Sequence, residues 1–336
     1  GKHGLIMATY KEIKGTNIEV LASDPSNPVE GQVWFNSTSN VLKGRILNPA
    51  GSWTTANSIN TARGGLAGAG TTTAAIVLGG EVPPYNAQTE TWNGTNWTEV
   101  NDLNVARSIM GAVGTTTAAL GFGGIVDPSP QPTVNISLTE LWNGTNWTEV
   151  ADLNTARYGV IGSGLQPAAM ATGGEVHGVA TSATNEIWNG SAWTEVNNLN
   201  TTRGQGAAGG TTTAALYSGG STGGTNYAQT ETWNGTNWTE VNDLAVGRNS
   251  LGGVGTTTSF LVYGGNQPPP VSAITESWNG TNWTEVADLS TARGRGGSAG
   301  TGNTSALFAG GFTPSHSTAT EEFVSPLEST VTFTDS

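Results

Sequence analysis

Thr89-Glu90-Thr91-Trp92-Asn93-Gly94-Thr95-Asn96-Trp97-Thr98-Glu99-Val100 reads as a hairpin. Its two arms alternate polar with apolar side chains, as half-buried strands do. The Asn-Gly pair between them predicts a tight turn, because such a turn needs positive φ angles. This hairpin sets Trp92 and Trp97 near each other and free to pack on a neighbouring element. Upstream, residues 73–78 form an apolar run ending in Gly79-Gly80, which predicts a fully buried strand. Further upstream, residues 64–70 are small and glycine-rich, which suits a strand that another backbone approaches closely. The whole unit predicts four short antiparallel strands.

The unit recurs with a period near 45 residues, the length expected of one propeller blade. An arginine marks it at Arg63, Arg107, Arg157, Arg203, Arg248 and Arg293. Each is followed by a Gly-Gly pair and then by a glutamate, at Glu90, Glu140, Glu186, Glu231, Glu276 and Glu321. Tryptophan pairs close five of the six repeats: Trp92/Trp97, Trp142/Trp147, Trp188/Trp193, Trp233/Trp238 and Trp278/Trp283. The sixth repeat lacks its pair, yet Gly51-Ser52-Trp53-Thr54-Thr55-Ala56, ahead of the first arginine, matches the outer-strand pattern. Ring closure by this N-terminal strand is therefore expected, since it removes open sheet edges. The expectation is an all-β chain: a six-bladed β-propeller of four-stranded antiparallel blades over residues 51–325. A leader or attachment module would occupy 1–50 and a tail 326–336, with residues 1–6 no part of the expected fold.

An arginine, a glycine-rich strand, an apolar run ending in Gly-Gly, and two aromatics about five residues apart resemble the kelch repeat. The resemblance covers roughly residues 51–325 and implies a kelch-like β-propeller, with tryptophan standing where tyrosine is usual before the hairpin. The near-identical Trp-Asn-Gly-Thr-Asn-Trp-Thr-Glu-Val units resemble kelch-like proteins of marine bacteriophages. The segment from Pro28 through Trp34 to Gly44 resembles a short module of phage tail and other virion proteins. Together the two resemblances imply a virion protein, extracellular on the particle, with other virion proteins as partners.

Composition narrows the chemistry. Twelve basic against 25 acidic residues leave a net charge of −13, so no cationic stripe is present to displace counterions from nucleic acid. No apolar run approaches the roughly 20 residues that span a bilayer, and no membrane insertion is expected. With no cysteine, thiolate metal sites and the cysteine-linked tyrosine of kelch-like copper oxidases are excluded. His3, His177 and His316 are scattered without ligand spacing, so neither a metal nor a cofactor is expected.

The six arginines and glutamates repeat too regularly to be a site, and a scaffolding role is expected of them, each arginine either pairing with a glutamate or capping a carbonyl between blades. Symmetry breaks instead between Gly-Gly and glutamate, where the connections hold 9, 15, 11, 10, 10 and 9 residues. Tyr85, Asp127, His177, Tyr227 and His316 lie there and form the candidate ligand-binding set. Prolines stiffen these connections at 128–132 and 268–270, reducing the entropy lost on binding. Tyrosines among Asn, Thr and Ser are what a neutral sugar surface uses. The expected role is non-enzymatic, with no catalytic residues: a tail appendage or surface propeller that attaches to host surface polysaccharide. Two other classes fit the same residues: a purely structural decoration or joining subunit, and a carbohydrate-active enzyme using loop acids such as Glu81, Asp127 and Glu175.

Overall fold

A computed structural model describes residues 18–26, 32–48, 50–127, 134–177, 180–267, 271–325 and 327–333. The proline runs at 128–132 and 268–270, the start of the Pro28 segment and residues 1–6 lie outside these. Among the described residues there is no helix, and the chain divides into two units, 50–325 and the two end segments 1–49 and 326–336.

The repeat unit is built of six four-stranded antiparallel sheets, the make-up of a β-propeller. In the first repeat the strands are Ala67–Thr71, Ala74–Leu78, Thr89–Trp92 and Trp97–Val100, paired in sequence order. Trp92 stands opposite Trp97, with ring centroids 5.3 Å apart. The hairpin differs from its expected form in one respect. Positive φ falls on Gly94 alone (89°), and the turn is held by the Asn93 side chain, whose Oδ1 accepts the N–H groups of Thr95 and Asn96 at 2.9 Å. The third strand is also more deeply buried than alternation predicts, because Thr89 and Glu90 both find partners inside.

The sixth sheet joins Gly297–Gly302, Ser305–Ala309 and Thr320–Val324 to Ser52–Ala56, with Phe323 opposite Trp53. Six apolar clusters lie between successive sheets. The one holding Leu66, Val77, Trp92 and Trp97 also holds Ala299, Leu307 and Ala309, so the first repeat packs on the sixth. Backbones approach closely along the first strands. A Cβ on Gly68 would stand 2.5 Å from the Ser298 backbone nitrogen, which is why these strands are glycine-rich.

The end segments form a separate mixed sheet. Glu19–Leu21 runs parallel to Val33–Asn36, which pairs with Val41–Asn48, which pairs with Leu327–Phe333. Leu327–Phe333, within the segment expected as a tail, is thus a strand of the leader's own sheet, since it offers seven successive pairing positions to Val41–Asn48. Asp24 is the polar hub there. Its carboxylate accepts from Trp34 Nε1 (3.0 Å), Asn36 Nδ2 (2.7 Å) and Lys43 Nζ (2.7 Å), and the Lys43 bond above all holds its pKa down at about 2.

Candidate functional site

The repeated charges are internal, as their regularity suggests. All six arginines are fully buried, each against its own repeat's glutamate, for example Arg63–Glu90 at 2.7 Å and Arg203–Glu231 at 3.0 Å. Desolvation pulls the Arg107 guanidinium down to about 10, which leaves it charged at neutral pH beside Glu140. The second carboxylate oxygen is also engaged. Glu90 Oε2 accepts both the backbone N–H and the side-chain amide of Asn60 at 2.8 Å, and Glu140, Glu186 and Glu231 do the same with Asn104, Asn154 and Asn200. The pair therefore locks the loop entering each repeat to that repeat's third strand.

Two residues beyond each arginine the backbone turns left-handed in all six repeats. Gly65, Ile109, Gly159, Gln205, Ser250 and Arg295 all adopt left-handed φ, between 52° and 64°. Each donates its N–H to the carbonyl of its counterpart in the preceding repeat, at 2.6–2.8 Å, and Gly65 donates to Arg295. The six bonds make a closed backbone ring. The arginine, the Gly-Gly pair and the glutamate recur in every repeat, whereas this position carries Gly, Ile, Gly, Gln, Ser and Arg.

Polar side chains gather around that ring. Glu175 accepts the Tyr158 hydroxyl at 2.7 Å and the Gln205 amide at 2.6 Å, and Gln205 Oε1 accepts from Ser250 Oγ at 2.8 Å. Further round, Arg295 Nη1 lies 3.3 Å from Glu81 Oε1, and His316 Nε2 lies 3.8 Å from the same oxygen. Desolvation, with help from Glu175, raises the Tyr158 hydroxyl to about 12. Among the described residues no three His, Cys, Asp or Glu side chains converge as a metal site would require.

The expected site residues divide accordingly. Tyr85 forms a backbone bridge with Glu81, and burial, Glu81 and Asp127 raise its hydroxyl pKa. His316 packs edge-on against Phe312 beside the same glutamate. Asp127 borders an open groove of about 790 Å³ formed by the second repeat's connection and the loops entering the second and third repeats, lined also by Val105, Val126, Ile136, Leu138 and Asp152. His177 is exposed, with its backbone N–H on Asn135 Oδ1. Tyr227 does not share Tyr85's position. Its N–H bonds Gly220 O as Asn86 bonds Gly80 O, so it stands one residue further along its loop. Sequence reading missed Ile109, Tyr158, Gln205, Ser250 and Arg295. Their signal was present: the two residues after each arginine diverge inside an otherwise repeated frame.

No family model matches the chain, and no curated protein matches it. Among solved structures that of YjhT does, with a TM-score of 0.65 and 13% identity over 81% of this chain and 96% of that one. YjhT has a β-propeller-like all-β fold, and at this identity the likeness speaks for fold alone. The chain is an all-β protein of four-stranded antiparallel sheets with a propeller-like fold.

Proposed function

We propose that this chain is a six-bladed propeller of the kelch kind, closed by Ser52–Ala56, that serves as a non-catalytic recognition protein of a bacteriophage particle. The cyclic packing of the six sheets and the closed backbone ring support the blade count. The resemblance of the repeats and of the leader to virion proteins supports the location, with neighbouring virion proteins held by the end segments. The loop face is the recognition surface, and host surface polysaccharide is its target. One observation carries this reading. Each repeated arginine and glutamate is consumed in an internal pair, while the chemistry that varies from repeat to repeat lies in the connections and around the ring. Tyrosines, amides and hydroxyls dominate there, which is the composition that grips uncharged sugars through stacking and planar hydrogen bonds. Shallow contacts of this kind become useful through many copies on one particle.

A glycan array probed with the whole chain, with Tyr85→Ala and with Tyr227→Ala tests the reading. Selective binding that Tyr85→Ala abolishes is the expected result, with a smaller loss for Tyr227→Ala. A blank array points instead to a structural joining subunit, and release of reducing sugar points to an enzyme.

A further inference from the structure

The left-handed ring divides into two unlike halves. In the first three repeats its residues are Gly65, Ile109 and Gly159, with no polar side chain; in the last three they are Gln205, Ser250 and Arg295. All six backbones favour glycine, yet four positions are not glycine. Ile109 is the sharpest case, since a β-branched residue at φ 52° is a genuine outlier. Such strain persists only where the surroundings enforce it, and it clusters at ligand sites. Here the enforcement is visible, because Ile109 both donates to Gly65 O and accepts from Gly159 N–H.

Resting on the loop-face reading above, we propose that this ring is a two-sided reading site for the uncharged end of a sugar chain. A pyranose presents hydroxyls at its edge and C–H groups on its face. The hydroxyl edge meets Gln205 and Arg295, with buried Ser250 holding Gln205 Oε1 at 2.8 Å, and the C–H face meets half-buried Ile109. Arg295 suits a donor role: of the seven arginines in residues 50–325 it alone stands outside the buried pairs, its side chain about a third exposed (35%) beside Glu81. The field argues against an acidic sugar. Residues 50–325 carry 19 carboxylates and no lysine, and Glu81 and Glu175 flank the ring.

The test exploits the backbone. Glycine is the residue a left-handed position accepts best, so Ile109→Gly, Gln205→Gly and Arg295→Gly remove side chains without straining the fold. Titration calorimetry of the whole chain would use neutral gluco-, galacto- and manno-oligosaccharides and their hexuronate counterparts. A neutral ligand should bind, each ring variant should weaken it by about tenfold, the loss of one good contact, and Ile109→Gly should melt at a higher temperature than the parent. Should Arg295→Gly melt lower, Arg295→Gln, which keeps an extended side chain, takes its place as the reporter. Neutral-sugar binding that depends on Tyr85 yet survives all the ring variants overturns the ring site and leaves the loop-face reading standing. Preference for the hexuronate also overturns the ring proposal, and failure of every oligosaccharide to bind overturns both.

Discussion

Trp97 and Trp238 hold the same position in their repeats and differ by one hydrogen bond. Trp97 Nε1 donates to Thr320 Oγ1 at 3.1 Å, across the junction of the first and sixth repeats. Trp147, Trp193 and Trp53 donate likewise to Thr89, Thr139 and Thr275 of the preceding repeat. For Trp238 the acceptor position holds Asn185, whose amide is turned to Thr172 and Asn197, and the indole N–H is left without a partner. A buried neutral hydrogen bond contributes about 1 kcal/mol net. Trp97→Phe should therefore destabilise the protein by about 1 kcal/mol more than Trp238→Phe, since both lose a similar apolar area. Chemical denaturation of the two variants checks this, and equal losses would mean that the indole bond contributes nothing. The repeated arginines obey a harsher rule. Each is buried with its glutamate, and removing one partner of such a pair costs about 3–5 kcal/mol because the other charge is stranded. That cost explains why the pair tolerates no variation among the six repeats.

At the scale of elements, Ser52–Ala56 matters most. It lies far from Thr320–Val324 in sequence, pairs with it over five positions, and brings Trp53 against Tyr263 and Phe323, at ring-centroid distances of 4.8 and 5.3 Å. Deleting residues 1–57 should open the edge of Thr320–Val324, an invitation to intermolecular pairing. It also strips one aromatic from the cluster between the fifth and sixth sheets. The expected outcome is a lower melting temperature and aggregation in light scattering; a monomer that melts like the full chain would refute the strand's role. The Asn-Gly hairpins carry a milder lesson. Sequence placed them correctly, but the Asn93 side chain rather than an Asn93 backbone inversion shapes the turn. Asx capping and left-handed φ are alternative uses of the same residue.

At the scale of the whole molecule the interfaces are alike but not identical, and two tyrosines mark the difference. Tyr217 is completely buried in the cluster between the third and fourth sheets, with the Arg203 guanidinium 5.1 Å from its ring centre. Burial raises its hydroxyl to about 12, as it does for Tyr158 on the ring. A folded pKa above the unfolded value near 10 means that the folded state holds its proton more tightly. Stability from this source is complete below pH ~10 and is lost as pH rises towards ~12, by about 3 kcal/mol for Tyr217. Alkaline unfolding should thus track tyrosinate absorbance, and Tyr217→Phe should shift the transition upward in pH. An unchanged transition would place the cause elsewhere.

The sequence by itself determined the strands, their order within each repeat, the scaffolding role of the repeated charges and the outer strand that carries Trp53. Each of these is written as a local pattern and then repeated six times, and repetition makes a weak local signal legible. Tyr85 and His316 were legible as candidates because they interrupt that repetition within the loops. Only the tertiary structure decided that Ile109, Gln205, Ser250 and Arg295 belong together. They are separated by about one repeat each, and no short-range pattern joins them. What unites them is a ring of backbone hydrogen bonds, in which each left-handed residue donates its N–H to its counterpart in the preceding repeat.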